Sequence, residues 1–379
     1  MKGITRRSFA TAIATAFLAF ALAGCAGGAA TSGAASGSAS AASGSTSSAA
    51  SSVAASSASA SASGGSATAM VKDMNGDDVV QVGGAKNILT VNSVATQMVL
   101  MVGGEDAAAT VGQGFQYGDD SLNKKMFPNL GDRKTFTRDD ATVENVAAVD
   151  PGLVLIDVPD TVTALRGAGI PTAFLAVTSP ETIIQAIEIV GDALGGDSAQ
   201  VAAKYADYYN GVISEMSAKS KDLADADKPR VIYLRNETKT IGAGSMPDNW
   251  ITTLGGVNVG AELGANGGAG SDVTTEAIIG ADPDIIICEN PDLLNTIKTD
   301  AQYADMTAVK NGAVYQAPLG TAVWSMGTAE APLMLYWASQ YINPDLYSGI
   351  DVDQKTTEFF KDFYGYTLSS DELDTIFHR

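Results

Sequence analysis

The sequence predicts an α/β protein made of two similar α/β lobes joined by one long rigid helix. Three observations carry that expectation. "TVENVAAVDPGLVLIDVPD" at residues 142–160 returns as "TTEAIIGADPDIIICENPD" at residues 274–292, without a gap, 132 positions later. The offset is too long for a solenoid repeat and suits a duplicated domain. The runs Leu153 to Ile156 and Ile285 to Cys288 are apolar at every position, as strands of a parallel sheet covered on both faces are. Between the copies, Val201, Tyr205, Tyr208, Tyr209, Val212, Ile213 and Met216 recur at helical spacing.

The 379-residue chain begins with Lys2, Arg6 and Arg7, followed by an apolar run from Phe9 to Leu22. That run is too short for a comfortable membrane span and reads as an export signal over residues 1–24. Leu22-Ala23-Gly24-Cys25 resembles the lipobox of bacterial lipoproteins, which implies lipidation of Cys25 after cleavage. "TRRSFA" more weakly resembles a twin-arginine signal. Residues 26–68 are almost wholly Ala, Ser and Gly. They cannot form a core and are expected, with Cys25, to be a flexible tether.

The body from residue 69 is long enough for two sizeable cores. "VKDMNGDDVVQV" reads as a hairpin about Asn75-Gly76. "NILTVN" reads as a strand, and "SVATQMVLMVGG" as a helix capped by Ser93 and ended by Gly103-Gly104. In the repeated passage Thr142 caps a helix, Asp150-Pro151 stops it and a strand follows; the second copy reads likewise. "VIYLRN" is a strand, and "PDNWITTLGGVN" a helix ended by Gly255-Gly256 as the earlier one is by Gly103-Gly104. The connecting helix is expected over residues 198–224, about 40 Å long. The organisation is thus a first lobe over 69–195, an inter-lobe segment over 196–226 and a second lobe over 227–379.

Several chemistries are excluded or unsupported. The one histidine is His378, beside the C-terminal residue. No Ser-His-Asp triad, H-E-x-x-H motif or histidine cluster for zinc or manganese can be assembled, and no catalytic or metal-ligating set is assigned. "GQGFQYG" at residues 112–118 misses the dinucleotide fingerprint, and no Walker A motif is present. Acidic residues are numerous, yet no two are marked as a glycosidase pair. Cys288 is the body's only cysteine and is expected to pack in the core. The net charge of −20 repels nucleic acid and anionic lipid.

Over residues 71–377 the chain resembles the substrate-binding lipoproteins of bacterial ABC importers for iron–siderophore, haem and cobalamin complexes, the class III periplasmic binding proteins. The most specific stretch is the end, "GTAEAPLMLYWASQYINPDLYSGIDVDQKTTEFFKDFYGYTLSSDEL". It holds a Pro-Glu-Ala-Pro-like helix start, Asn343-Pro344-Asp345-Leu346 and "FYGY". Ala329-Glu330 stands where many members have Pro-Glu. The resemblance implies two lobes on one long helix, a ligand cleft between them, and no enzymatic activity. It also implies a lipid anchor on the outer face of the cytoplasmic membrane.

In this family each lobe docks on one subunit of a permease dimer, which works with its ATPase, through a glutamate opening the helix before the Asp-Pro strand. The matching positions are Glu144 and Glu276. Arginines on the permease would pair with them bidentately; the alternative role is to complement the helix dipole.

The ligand is expected at the carboxyl ends of the strands. The loops there supply Asn92, Ser93, Gln116 and Tyr117 from the first lobe and Arg235, Asn249, Trp250 and Trp324 from the second. Flat aromatics suit a macrocycle or chelate, and arginine suits its carboxylates. Asp157 and Glu289 lie in the same loops and shape them. The implied ligand is an iron complex, a ferric siderophore or haem, with a corrinoid as the alternative, and no covalent group beyond the lipid. Other readings are a chelatase-like exported enzyme, which would need a base or metal ligand in the cleft, and a sensor or adhesion lipoprotein.

Overall fold

The structure is a computed structural model that describes residues 69–268 and 270–379. The export signal, Cys25 and the tether lie outside the described residues. Among the described residues no helix is long and apolar enough to cross a membrane.

The first lobe opens with the expected hairpin. Strands β1 (Met70–Lys72) and β2 (Asp78–Gln81) pair antiparallel about Gly76, whose φ of 84° needs a residue without Cβ. Then come β3 (Ile88–Thr90), β4 (Thr110–Gly112), β5 (Lys134–Phe136), β6 (Leu153–Ile156) and β7 (Thr172–Phe174). β3, β6 and β7 form a parallel sheet in that order. β4 pairs parallel with β5, and single bridges at Ile88–Ala108 and Asn92–Gln113 bring β4 to the free edge of β3. The second lobe contains β8 (Arg230–Asn236), β9 (Lys239–Thr240), β10 (Val257–Asn258), β11 (Ser271–Asp272), β12 (Ile285–Cys288) and β13 (Val314–Gln316). Its order is β11-β9-β8-β12-β13, with β10 parallel to the start of β8. The parallel part of each lobe has one plan: β3, β4, β6 and β7 correspond to β8, β10, β12 and β13. β6 and β12 are buried at every residue, as strands covered on both faces must be.

The repeated passage folds alike in both copies. Thr142 and Thr274 each cap a short helix, accepting from the backbone N–H three residues on. Asp150 and Asp282 end those units in the left-handed region, at φ 51° and 43°. Aspartate tolerates that region better than most residues, and the following proline cannot continue a helix. A side chain at the start of each lobe's first strand braces the turn. Asn87 donates to the carbonyls of Val149 and Asp150. The Arg230 guanidinium donates to those of Ala281 and Asp282.

The Gly-Gly echo is equally literal. Gly103 and Gly255 have φ of 80° and 78°. Gly104 N donates to Val99 O at 2.8 Å, and Gly256 N to Ile251 O at 2.9 Å, the Schellman closure of a helix end. One cap differs from expectation. Asn92, not Ser93, caps the helix Ser93–Met101, accepting from Ala95 N at 2.9 Å; Ser93 is its first helical residue.

The connecting helix runs Asp197–Ser220, 24 residues or about 36 Å, and stops short of the expected residue 224. Its buried stripe is Ala202, Tyr205, Tyr209, Val212 and Met216, with Val201, Tyr208 and Ile213 only partly buried beside it. It packs on Pro180–Leu194 of the first lobe and on Met246–Thr253 and Ala331–Ala338 of the second. It is not the sole link between the lobes. The helix Val352–Tyr364 packs on Ala331–Ala338 and also on Ser93–Met101. Its Tyr364 ring meets Phe127 edge-on at 6.1 Å, and Phe363 meets Tyr205 at 5.6 Å. Cys288 is buried and unpaired, with its thiol pushed up to about 12 by burial.

Candidate functional site: the cleft between the lobes

Parallel strands deliver their carboxyl ends to one edge of each sheet, and loops leave from there toward the other lobe. From the first lobe come Asn92 and Ser93 after β3, Gly114 and Gln116 after β4, Asp157 after β6, and Leu175 and Val177 after β7. From the second come Glu289 and Asn290 after β12, Gln316 at the end of β13, and the segment running from Leu319 through Thr321 and Met326 to Thr328. These residues wall two adjoining cavities of about 360 and 180 Å3 that share Val94 and Met326. Both lobes contribute to both cavities, and together they make one cleft.

Charge in the cleft is arranged in pairs. Arg138 grips Asp157 through both Nε and Nη2, the former at 2.7 Å. In the second lobe Arg235 Nε donates to Glu289 Oε2 at 2.7 Å. The same oxygen accepts from Tyr233 Oη at 2.8 Å, and Ser325 Oγ donates to Tyr233 Oη at 2.9 Å. Each carboxylate holds its guanidinium above the ordinary arginine value, chiefly through the hydrogen bond. Burial raises Tyr233 well above the usual phenol range, with the Glu289 charge reinforcing it. Asp157 and Glu289 occupy the same position in the two copies of the repeated passage.

Behind the cleft a buried network joins the lobes. Glu330 is fully buried. It accepts from Thr321 Oγ1 and N and, at 2.7 Å, from Trp324 Nε1. Burial holds its carboxyl above the ordinary value despite those donors. Among the described residues no group of three or more His, Cys, Asp or Glu side chains could hold a metal ion.

The expected contact residues divide. Asn92, Ser93 and Gln116 line the cleft. Arg235 lies outside both linings, joined to Glu289, which is in one of them. Tyr117 is outside the two linings: its hydroxyl donates to Phe127 O and its ring stacks on Phe115 with centroids 6.2 Å apart. Asn249 lies half-buried on the helix Met246–Thr253, also outside the linings. Trp250 and Trp324 correct the expectation most clearly. They are 1% and 0% exposed, with their indole N–H groups spent on Ser325 O and Glu330. Large rings whose one polar atom is satisfied internally gain most by full burial.

Arg138 and Met326 were not anticipated. Met326 follows Trp324 in the same short segment, so the loop was legible and the residue facing the cleft was not. Nothing local marks Arg138, whose role depends on a partner 19 positions away. Glu144 and Glu276 are exposed and line neither cavity.

Comparison with known proteins places this geometry. The family model described as periplasmic binding protein matches residues 88–319. A cobalamin-binding protein of Halobacterium salinarum is 28% identical over 208 residues, 53% of this chain and 53% of its own length. The molybdate-binding protein MolA of Haemophilus influenzae is 26% identical over 164 residues, 41% of this chain and 46% of its own. The chain thus spans about half the length of the curated relatives it matches. The crystal structure of a periplasmic solute binding protein from Veillonella parvula superposes with a TM-score of 0.70 at 26% identity. It covers 82% of this chain and 97% of that one.

Proposed function

Because the chain belongs to the periplasmic binding protein family, we propose that it is the extracytoplasmic solute-binding lipoprotein of an ABC importer. In this reading it captures an iron complex, a ferric siderophore or haem, and delivers it to a permease dimer that works with its ATPase. The observation that carries this reading is the cleft itself: one space walled by the strand ends of both lobes. Such a site encloses a ligand without needing to transform it.

Among the described residues lining it there is no tyrosine, histidine or cysteine. A metal would therefore be recognised through the chelator that already surrounds it. Asp157 and Glu289, the cleft carboxylates, are tied to arginines, which argues against a free general base and hence against a chelatase-like enzyme. His378 lies against Ala317 O and lines neither cavity. A corrinoid is the second reading, favoured by the relative named as a cobalamin-binding protein.

Cys25 would anchor the molecule to the outer face of the membrane, with Glu144 and Glu276 meeting the permease. The test is calorimetric titration of the purified chain with ferric siderophores, haem and cobalamin. A tight one-to-one complex without turnover is expected; conversion of any of them would make the protein an enzyme.

A further inference from the structure

We propose that the cleft selects ligands that carry no net negative charge: an uncharged chelate or macrocycle that presents amide-type groups and apolar edges. The inference rests on the cleft being the ligand site. It goes further by excluding oxyanions, polyanionic chelates and, through its two propionates, haem.

The first support is the pairing of charge. Arg138 is the one cation among the described residues lining the cleft, and Asp157 grips it with both oxygens. Arg235 lies outside the lining and is joined to Glu289. An anion reaching for either arginine would meet a carboxylate already in place. It would have to displace an intramolecular bidentate partner and leave that partner's charge beside its own. The two carboxylates sit at matched positions of the two lobes, so both walls of the cleft are neutralised in the same way.

The second support is the rest of the lining. Its polar groups are hydroxyls and carboxamides, among them Ser93, Gln116 and Gln316. Such groups pair with carbonyls and N–H groups and bring no charge. Between them lie apolar side chains such as Met98, Val177 and Met326. The third support is the chain's net charge of −20, which disfavours the approach of a polyanion at low salt.

The test titrates the purified chain with four probes: an uncharged ferric tris-hydroxamate, cyanocobalamin, a ferric tris-catecholate bearing three negative charges, and molybdate. At least one uncharged probe should bind about a hundredfold tighter than either anion, and its affinity should change less than about twofold between low and high salt. Asp157→Asn takes the carboxylate charge from Arg138, and Glu289→Gln removes the Glu289 charge beside Arg235. Each should tighten tris-catecholate binding roughly tenfold at low salt, with the gain lost at high salt. Two variants at matched positions guard against one that fails to fold, and circular dichroism verifies each.

Binding of tris-catecholate or molybdate by the unmodified chain as tightly as the best uncharged probe would overturn the proposal. So would the absence of any anion gain in two folded variants. If the unmodified chain binds none of the four probes while the variants gain anion binding, the charge selection stands and the iron-complex and corrinoid readings fall.

Discussion

Gln97 of the first lobe donates through Nε2 to Thr321 Oγ1 of the second at 2.7 Å, across 224 positions of sequence. Its Oε1 accepts from Ala329 N, also at 2.7 Å. The amide is 1% exposed, so both its ends are satisfied by the opposite lobe with little access to water. Thr321 in turn donates a hydrogen bond from its own hydroxyl to Glu330. The floor of the cleft is thus one hydrogen-bonded unit that includes residues from both lobes.

Gln97→Ala should therefore cost more than its lost packing. It leaves the buried Ala329 N–H without its acceptor, and each such orphan costs about 1–3 kcal/mol. Denaturant unfolding is expected to show a loss of roughly 2–4 kcal/mol. A change within about 0.5 kcal/mol, the range of ordinary surface substitutions, would mean that water takes over both bonds and that the lobes are not held together here.

Glu330 sets a pH dependence whose sign is fixed. Burial raises its carboxyl above the ordinary value of 4.5. The native state therefore holds this proton more firmly than the unfolded chain does. The stabilisation is complete below the ordinary value and is lost as pH rises through the raised one. Glu330→Gln is neutral throughout and keeps one oxygen to accept from Thr321 or Trp324. The melting temperature of the variant, relative to the unmodified protein, should move upward as pH rises from about 4 and level off above the raised value. A difference independent of pH would show that the donors around Glu330 offset its desolvation, and a difference that moves downward with pH would show that they outweigh it.

Glu144 and Glu276 open helices at matched positions, exposed and outside the cleft linings. Glu144→Arg and Glu276→Arg should leave ligand affinity and folding nearly unchanged. Under the proposed docking role they should reduce uptake of labelled ligand by cells, the double variant more than either single one. An exposed rim pair contributes about 0.2–1 kcal/mol and a buried one several times that, so the size of the defect reports how deeply each carboxylate is covered. Normal uptake by the double variant would return both residues to the role of helix-dipole partners.

Cys25, outside the described residues, has a direct test. Cys25→Ser should move the protein from the membrane fraction to the soluble one. Retention through detergent-free washing would refute the lipid anchor.

The duplicated passage and the second echo at the two Gly-Gly helix ends together implied two lobes, because helix caps, Asp-Pro stops and fully apolar strands are local devices with local signatures. Thr142 and Thr274, Asp150 and Asp282, and the two Gly-Gly pairs all act within a few residues of themselves, and each was legible for that reason. The loops that reach the cleft were legible too, since parallel strands send their carboxyl ends to one side. Which residue of each loop faces the cleft was decided by tertiary packing. Trp324 turned inward because Glu330 supplied an acceptor for its indole, and Met326, two residues on, lines the cleft. The pairing of Arg138 with Asp157 and of Arg235 with Glu289 depended on side chains from separate strand ends meeting in space. Sequence patterns record the period and punctuation of the backbone, whereas the neutralisation of one distant charge by another exists only once the chain has folded.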